Sequence, residues 1–333
     1  RQTPCKVWFF STFAESFLKG EECIVAGEGK NIKEDYMKTV SIGRTPVKSS
    51  AVAQGVMRMA EKSAAEAEKI TAAALEAGIT FFDTADVYTD GESSRKLGAA
   101  LKSLNVDRSS IELQTKVGII AAEETGSVTV YDFSKKRILD RVDYELKNLQ
   151  TDYVDFLLLH RPDTLLEPDE INEAFAELKT AGKVRHFGVS NMSAWQTEFL
   201  QSELDEKLEV NQLQLSLAHS GMIDQNIYTN MEETRSIDRD SGLLEYSRLR
   251  KMTIQAWSPL QAGFFGGTFV DNPEFPELNA KLEELAGKYN STKNGIAVAW
   301  LLRHPSNMQV IIGSMNTQRI AQFAAGADVE LSR

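Results

Sequence analysis

The sequence is poor in the residues that metal centres and disulfide frameworks need. Of its 333 residues only two are cysteines, Cys5 and Cys23, and four are histidines. Two cysteines close to one end of a chain do not build a disulfide framework, and they do not supply the ligand set of a zinc site. We therefore expect no metal site.

Long apolar runs and an excess of positive charge are also absent. No stretch of about 18 apolar residues occurs, so no transmembrane helix is expected. The net charge is −11, from 37 Lys and Arg against 48 Asp and Glu. An acidic surface argues against nucleic acid and anionic membrane as partners. The composition predicts a cytoplasmic protein and leaves its oligomeric state unknown.

The first 36 residues differ from the rest. The stretch "KVWFFSTFAESFL" is apolar but is interrupted by Glu15 and lacks a small-residue cleavage site, so it is not interpreted as a signal peptide. Residues 1–36 are interpreted as an N-terminal extension, either non-native or disordered. Residues 37–333 are expected to form one domain.

From about residue 50 the chain alternates short β-rich apolar runs with longer stretches of helical period. Capping signals frame three of the helices. Ser63-Ala-Ala-Glu66 is a capping box before a helix that ends at Gly78, Ser134 can cap the next clear helix, and Pro168 and Gly182 bracket another. Helices also fit 92–104, 193–204, 277–289 and 292–304. The predicted strands are 51–56, 79–83, 111–116, 153–160, 184–189, 208–214, 253–257 and 309–313.

Eight strands alternating with helices predict parallel strands with crossover helices. The pattern favours an α/β fold of the closed (β/α)8 TIM barrel type. An open doubly wound sheet is the alternative, but its usual G-x-G-x-x-G fingerprint after the first strand is missing.

Polar residues stand at the carboxyl ends of the predicted strands, where barrels of this type build their active sites. A lysine, a histidine and an aspartate follow apolar runs on three neighbouring strands, so we expect them to converge at one mouth. The strand-end residues are Asp83, Lys116, His160, Ser190, Asn191, Gln212, Trp257, Ser258, Gly313 and Ser314.

Motifs on seven of the eight strands occur in a familiar order. They read "GITFFDTADVY", "LQTKVG", "LLLHRPD", "GKVRHFGVSN", "VNQLQ", "AWSPL" and "GSMNTQRI". Over about residues 40–325 the sequence resembles the aldo-keto reductases, and among them the bacterial branch with His-Arg-Pro-Asp after the fourth strand. The resemblance implies reduction of small aldehydes or ketones to alcohols.

The resemblance places four catalytic residues on Asp83, Tyr88, Lys116 and His160. An isolated tyrosine, with a pKa of about 10, is a slow acid near neutral pH. The Lys116 ammonium would lower the pKa of Tyr88, and Asp83 would hold Lys116 in a site with little water. His160 would orient the substrate carbonyl, and Tyr88 would give its proton as the oxyanion forms.

The resemblance also implies a nicotinamide dinucleotide as the hydride carrier, bound without a doubly wound domain. Carboxamide contacts fall on Ser190, Asn191 and Gln212, and Trp257 would stack on the nicotinamide. Ser258 and Leu260 match the loop beside the pyrophosphate, and Ser314 and Arg319 the site of the adenosine 2′-phosphate. Met57 and Gly313 complete the expected cofactor contacts.

Three departures from the family pattern bear on these expectations. Gly313 replaces a lysine that many relatives carry, so NADPH is expected with NADH as the alternative. The chain is expected to stop short of the family's final helix and tail. Val56 and Met57, after the first strand, and the loops 118–133 and 218–241 would form the remaining wall of the substrate site, and their mixed character does not identify the substrate.

Two other functions remain compatible with the sequence. One is a cofactor-binding, redox-sensing regulatory subunit with little turnover, as in the potassium-channel β subunits of the same family. The other is a barrel of unrelated chemistry, a hydrolase or lyase, in which Lys116 forms a Schiff base.

Overall fold

The computed structural model describes residues 37–232, 234–263 and 266–333. The expectation for residues 1–36 therefore lies outside the described residues. Within the described residues the strands are, in chain order, β1 (Thr39–Ser41), β2 (Lys48–Ser50), β3 (Val52–Gly55), β4 (Phe81–Asp83), β5 (Glu112–Val117), β6 (Ile119–Ile120), β7 (Val130–Tyr131), β8 (Val154–Leu159), β9 (Val184–Ser190), β10 (Leu208–Gln214), β11 (Thr253–Trp257) and β12 (Met308–Ile312).

Eight of these strands form a closed barrel in the order β3, β4, β5, β8, β9, β10, β11 and β12, and β12 pairs back to β3. Every neighbouring pair is parallel. Each predicted strand lies in the barrel, and the predicted ends differ from the observed ends by about two residues or fewer. The (β/α)8 prediction is confirmed, and the open sheet is excluded.

Helices surround the barrel, and their ends follow the capping signals of the sequence. The Ser63–Glu66 capping box is present, and Ser134 accepts a hydrogen bond from the backbone N–H of Arg137. The patterns do not predict α3, α7, α8 and α11. The helices are α1 (Ala64–Glu76), α2 (Glu92–Ser103), α3 (Ala122–Thr125), α4 (Lys135–Leu149), α5 (Pro168–Thr180), α6 (Ala194–Glu203), α7 (Gly221–Ile227), α8 (Leu243–Arg250), α9 (Pro276–Tyr289), α10 (Lys293–Leu302) and α11 (Thr317–Gly326).

No helix in the described part of the chain has both the length and the apolar character that crossing a membrane requires.

The antiparallel β1–β2 hairpin closes the amino-terminal end of the barrel. Its turn is tied to the beginnings of two late strands. The backbone N–H of Gly43 donates to Thr253 Oγ1 (2.8 Å), and that of Arg44 donates to Glu209 Oε2 (2.6 Å). Ile42 of this turn is fully buried among side chains from five barrel strands. The hairpin therefore plugs the barrel with an apolar side chain.

The barrel interior changes from apolar to polar toward the carboxyl ends of its strands. Because strand side chains alternate between two faces, residues two apart share the interior face. Asp83 therefore points inward above buried Phe81, and His160 follows Leu158 in the same way. The apolar layer at the base supports a polar layer at the mouth. The buried apolar residues of the lower layer are Ile42, Ala53, Phe81, Phe156, Leu158, Val210 and Ile311.

A second hairpin, β6–β7, stands at the barrel mouth directly after β5, with α3 between its strands. It occupies the loop that the sequence predicts as part of the substrate wall. Gly118 starts it with φ +108°, and a β-carbon there would collide with the ring of Phe133. The hairpin entry therefore requires glycine.

Candidate active site

The structure brings the four predicted catalytic side chains together at the barrel mouth. Asp83 ends β4, Lys116 lies near the end of β5, and His160 directly follows β8. Tyr88 lies in the loop after β4. Its ring centroid is 5.0 Å from Lys116 Nζ and 5.8 Å from the His160 ring centroid, which it meets edge-on at 81°.

Asp83 and Lys116 form a buried ion pair. Lys116 Nζ donates to both carboxylate oxygens of Asp83 at 2.8 Å and to the carbonyl oxygen of Thr84 at 2.6 Å. The Lys116 residue is 0% exposed and Asp83 is 3% exposed. Burial alone would lower the pKa of Lys116, but the Asp83 carboxylate and Tyr88 outweigh it, so the pKa is raised. Lys116 is therefore a permanent cation beside the phenol.

The phenol of Tyr88 is held protonated. Burial raises the pKa of Tyr88, the Lys116 ammonium lowers it, and the Asp83 carboxylate raises it. The contribution of Lys116 has the direction expected from the sequence. The expected net lowering of the Tyr88 pKa is nevertheless wrong for this structure, because burial outweighs the ammonium and the pKa lies above its ordinary value.

His160 is a neutral imidazole facing the same space. Burial, the Lys116 charge and the Arg161 charge lower the pKa of His160 well below its ordinary value. Its Nδ1 atom is buried without a hydrogen-bond partner among the described residues. A neutral imidazole has one N–H to donate, so His160 can bind a carbonyl oxygen without becoming charged.

Two glutamines also contact Asp83, although the sequence analysis assigned neither of them to this role. Gln114 Nε2 donates to Asp83 Oδ1 at 2.7 Å, and Gln212 Nε2 donates to the same oxygen at 2.9 Å. Gln212 was expected at the cofactor, whereas Gln114 was missed. The signal for Gln114 is the strand period, because it lies two residues before Lys116 and so shares its inward face.

An ion pair between partly buried Arg141 and fully buried Asp86 holds the loop that carries Tyr88. Arg141 of α4 donates from Nε to Asp86 Oδ2 (2.7 Å) and from Nη2 to the Asp86 carbonyl oxygen (3.2 Å). The backbone N–H of Asp86 donates to the carbonyl oxygen of Lys116 at 3.0 Å. The loop is thus attached both to a barrel strand and to an outer helix. The sequence patterns missed this pair, because nothing links residues 86 and 141 before the fold is known.

The aspartate of the His-Arg-Pro-Asp motif organises two loops at the mouth. Asp163 accepts hydrogen bonds from the backbone N–H groups of Phe133 (3.0 Å) and Leu165 (2.8 Å). It joins the end of the β6–β7 segment to the loop after β8. From the sequence this residue served only as part of a family signature.

Four predicted cofactor residues form one hydrogen-bonded group beside the ion pair. Ser190 Oγ donates to the carbonyl oxygen of Gln212 (2.9 Å), and Asn191 Nδ2 donates to Ser190 Oγ (2.7 Å). Trp257 Nε1 donates to Asn191 Oδ1 at 3.1 Å. The indole of Trp257 is partly exposed at the end of β11 and packs against the apolar layer of the barrel interior.

The other predicted cofactor residues lie at the ends of β3, β11 and β12. Met57 is 40% exposed, Gly313 is exposed, and Ser258 takes the left-handed conformation with φ +51°. Leu260 is partly buried against the core. The remaining two lie at the start of α11, which Asn316 caps: Ser314 Oγ accepts from the backbone N–H of Asn316 (3.2 Å), and Arg319 is exposed in the first turn.

The residues that the structure describes contain no group of three or more histidine, cysteine, aspartate or glutamate side chains arranged to hold a metal ion.

Comparison with known proteins finds relatives along most of the chain. The sequence model of the Aldo/keto reductase family matches residues 51–333. The chain is 35% identical over 280 residues to the uncharacterized oxidoreductase YcsN of Bacillus subtilis (strain 168), covering 82% of this chain and 87% of YcsN. It is 32% identical over 295 residues to 6-dehydroglucose reductase of Agrobacterium fabrum (strain C58 / ATCC 33970), covering 85% and 91%.

A solved structure gives the same answer at the level of the fold. The crystal structure of the thermostable aldo-keto reductase Tm1743, determined with the inhibitor epalrestat, superposes with a TM-score of 0.70 at 25% identity. The match covers 89% of this chain and 96% of that one. The chain therefore belongs to the aldo/keto reductase family and is related to oxidoreductases.

Proposed function

We propose that the protein reduces an aldehyde or ketone to an alcohol with a nicotinamide cofactor, and that Tyr88 donates the proton. The observation that carries this proposal is the buried Asp83–Lys116 ion pair beside a protonated phenol and a neutral imidazole. Reducing a carbonyl requires a hydride at carbon and a proton at oxygen. The cofactor, when bound, supplies the hydride.

Tyr88 and His160 would act on the carbonyl oxygen of the substrate. His160 donates a hydrogen bond that fixes the carbonyl and withdraws electron density from its carbon. As the C=O electron pair moves onto oxygen, the O–H bond of Tyr88 breaks and the proton transfers to that oxygen. The Lys116 ammonium stabilises the phenolate that remains, and the partly exposed Tyr88 regains its proton from solvent.

Asp83 and Lys116 would act on the phenol without touching the substrate. Their charges are nearly inaccessible to water, so the field of the ammonium at the phenol is weakly screened. Asp83 keeps the ammonium in one place through two hydrogen bonds of 2.8 Å. The pair supplies a fixed positive charge where negative charge develops.

The residues around Trp257 fit a nicotinamide ring with its carboxamide. Both hydrogens of Gln212 Nε2 are donated inside the barrel, to Asp83 (2.9 Å) and to Gln255 (3.1 Å). The amide oxygen of Gln212 is therefore its acceptor for the carboxamide N–H group. Ser190 and Asn191 supply the neighbouring polar contacts, and Trp257 supplies the stacking surface. Met57, Ser258 and Leu260 would border the rest of the cofactor.

NADPH is the proposed cofactor, with NADH as the alternative. Ser314 offers a hydroxyl and Arg319 an exposed guanidinium at the start of α11, where helix N–H groups also favour a phosphate dianion. Gly313 leaves the site without the lysine that stands there in many relatives. A single guanidinium would give a moderate preference for the 2′-phosphate.

Titration of the tryptophan fluorescence with NADPH and then NADH tests the cofactor site. Arg319→Ala should raise the Kd of NADPH about tenfold, since it removes one charge-assisted hydrogen bond, and should leave the Kd of NADH unchanged. The control is Gln318→Ala, which removes the exposed neighbour on the same helix. Equal loss of both cofactors in Arg319→Ala would contradict a role at the 2′-phosphate.

Turnover of a panel of carbonyl compounds tests the chemistry. The panel should include a 6-dehydro sugar, because a relative with 32% identity is named 6-dehydroglucose reductase. Tyr88→Phe should lower kcat by about 10² to 10⁴ while NADPH still binds. Tyr289→Phe, a distant tyrosine on α9, is the matched control.

Cofactor binding, turnover and borohydride trapping together separate the reductase from the other two functions. Tight NADPH binding without turnover of any carbonyl would favour a redox-sensing regulatory subunit. Full activity of Tyr88→Phe would remove Tyr88 from the chemistry. A covalent adduct at Lys116, trapped with borohydride and a carbonyl substrate, would instead indicate Schiff-base chemistry.

A further inference from the structure

Four glutamines form a continuous hydrogen-bonded chain inside the barrel, here called the glutamine chain: Gln309, Gln255, Gln114 and Gln212. All four are 3% exposed or less. Polar side chains inside a barrel cost free energy unless their hydrogen bonds are made, so their alignment below Asp83 calls for a physical reason.

The chain begins at an atom that can only accept. Gln309 Nε2 donates to the backbone carbonyl oxygen of Ser50 at 2.8 Å. The amide oxygen of Gln309 must therefore face Gln255, and it accepts from Gln255 Nε2 at 2.8 Å. The orientation of these two amides is fixed because the carbonyl oxygen of Ser50 can only accept.

The orientation continues to the ion pair. The amide oxygen of Gln255 accepts from Gln114 Nε2 (2.7 Å) and from Gln212 Nε2 (3.1 Å). Each of these NH₂ groups spends its other hydrogen on Asp83 Oδ1, at 2.7 Å and 2.9 Å. Gln114 and Gln212 thus donate two hydrogen bonds each, to Gln255 and to Asp83. Gln114 Oε1 stays buried without a hydrogen-bond partner among the described residues. Asp83 Oδ1 is the acceptor at which the chain ends, and Lys116 Nζ donates to the same oxygen at 2.8 Å.

The chain also acts on the charge that the phenol experiences. Asp83 opposes Lys116 at Tyr88, since the carboxylate disfavours and the ammonium favours the phenolate. Two amide donors on Oδ1 withdraw negative charge from the carboxylate without neutralising it. They leave more of the Lys116 charge uncompensated at Tyr88, and they prevent the carboxylate from rotating.

We propose that Gln114 and Gln255 are positioning residues that hold the Asp83 carboxylate in place and so direct the Lys116 charge onto Tyr88. Gln309 anchors them to the backbone. This role deepens the reductase function proposed above and rests on it. Gln114 acts on Asp83 directly, whereas Gln255 acts through Gln114 and Gln212.

The test is a direct titration of Tyr88 in protein labelled with ¹³C at the tyrosine ζ carbon, with the resonance assigned by its loss in Tyr88→Phe. The variants are Gln114→Met and Gln255→Met, which keep an unbranched side chain of similar length but have no amide. Gln201→Met is the matched control. Gln201 makes two hydrogen bonds to backbone atoms, near the start of β10 and away from Asp83.

We expect the pKa of Tyr88 to rise by about one unit in Gln114→Met, by less in Gln255→Met, and not at all in Gln201→Met. The alkaline limb of the pH profile of kcat/KM should shift upward by the same amount as the pKa of Tyr88. If Tyr88 titrates in both interior variants as in wild type, the proposal is wrong. If Gln255→Met does not fold, Gln309→Met gives the same comparison, because Gln309 influences Asp83 only through its hydrogen bond with Gln255.

The titration does not depend on turnover. If the wild type reduced no carbonyl compound, the reductase proposal would fail, and a shifted Tyr88 pKa would still establish the effect of the glutamine chain. If the wild type were active and the Tyr88 pKa unchanged, the glutamine chain alone would lose its assigned role.

Discussion

Replacing Asp86 by asparagine tests the balance of burial and charge behind the Tyr88 loop. Asp86 is 0% exposed, and its Oδ1 atom has no hydrogen-bond partner among the described residues. The pKa of Asp86 is raised from its ordinary value of 3.8 to about 6, chiefly by burial. The Arg141 charge and, more weakly, the Arg137 charge lower this pKa, and the nearby Glu145 carboxylate raises it. In this structure burial outweighs the ion pair.

The sign of the effect on stability follows from proton binding. Between pH 3.8 and about 6 the folded state keeps a proton on Asp86 that the unfolded state has lost. The contribution of Asp86 to the free energy of unfolding therefore falls as pH rises through this window. The difference between the two pKa values corresponds to about 3 kcal/mol, at about 1.4 kcal/mol per pH unit.

Urea unfolding at several pH values measures this contribution. The free energy of unfolding of the wild type minus that of Asp86→Asn should fall by about 2 kcal/mol from pH 4 to pH 7 and be flat above it, because part of the full difference lies below pH 4. Asp140→Asn is the control, because Asp140 forms an exposed ion pair with Lys136 on the same helix. Its effect should stay below about 1 kcal/mol at every pH. A difference for Asp86→Asn that rises with pH would show that Arg141 outweighs burial.

Two further predictions concern the site and the base of the barrel. Lys116→Met should lower the free energy of unfolding by about 3–5 kcal/mol, because Asp83 is left buried without its cation. In denaturant unfolding, the double variant with Asp83→Asn should regain part of the lost free energy of unfolding. Gly43→Ala should lower the free energy of unfolding by about 2 kcal/mol more than Gly126→Ala does. Both glycines have positive φ, +57° and +74°, but only at Gly43 would a β-carbon lie 2.7 Å from a backbone oxygen, that of Glu209. Equal effects would show that the left-handed conformation alone sets the cost.

The strands and the main helices could be predicted because their signals are local. Strand runs in the sequence have the apolar character of strands buried on both faces, and Ser63 and Ser134 cap helices through residues three positions away. The candidate catalytic residues could be placed together because the carboxyl ends of parallel strands meet at one mouth. Asp83 and Lys116 needed no knowledge of distant partners.

What the sequence did not predict depends on contacts between distant residues. The β1–β2 hairpin is specified by Glu209 and Thr253, which no local pattern connects to residue 43. The burial of the Tyr88 phenol depends on residues distant in the chain, so the predicted direction of its pKa shift was wrong. The glutamine chain is visible in sequence only as glutamines at inward positions of separate strands, and its bonds require the register of the closed barrel.

The β1–β2 hairpin bears on the order in which the barrel folds. It lies at the start of the described chain, yet Arg44 N–H bonds a residue 165 positions later and the carbonyl oxygen of Ser41 accepts from Asn307, 266 positions later. Contacts of such separation form late, because the intervening loop must close first. We expect the β1–β2 hairpin to pack against the base of the barrel only after β10 to β12 have assembled. In pulse-labelling hydrogen exchange the Gly43 amide should then gain protection after the barrel strands, and early protection would show that the hairpin instead templates closure.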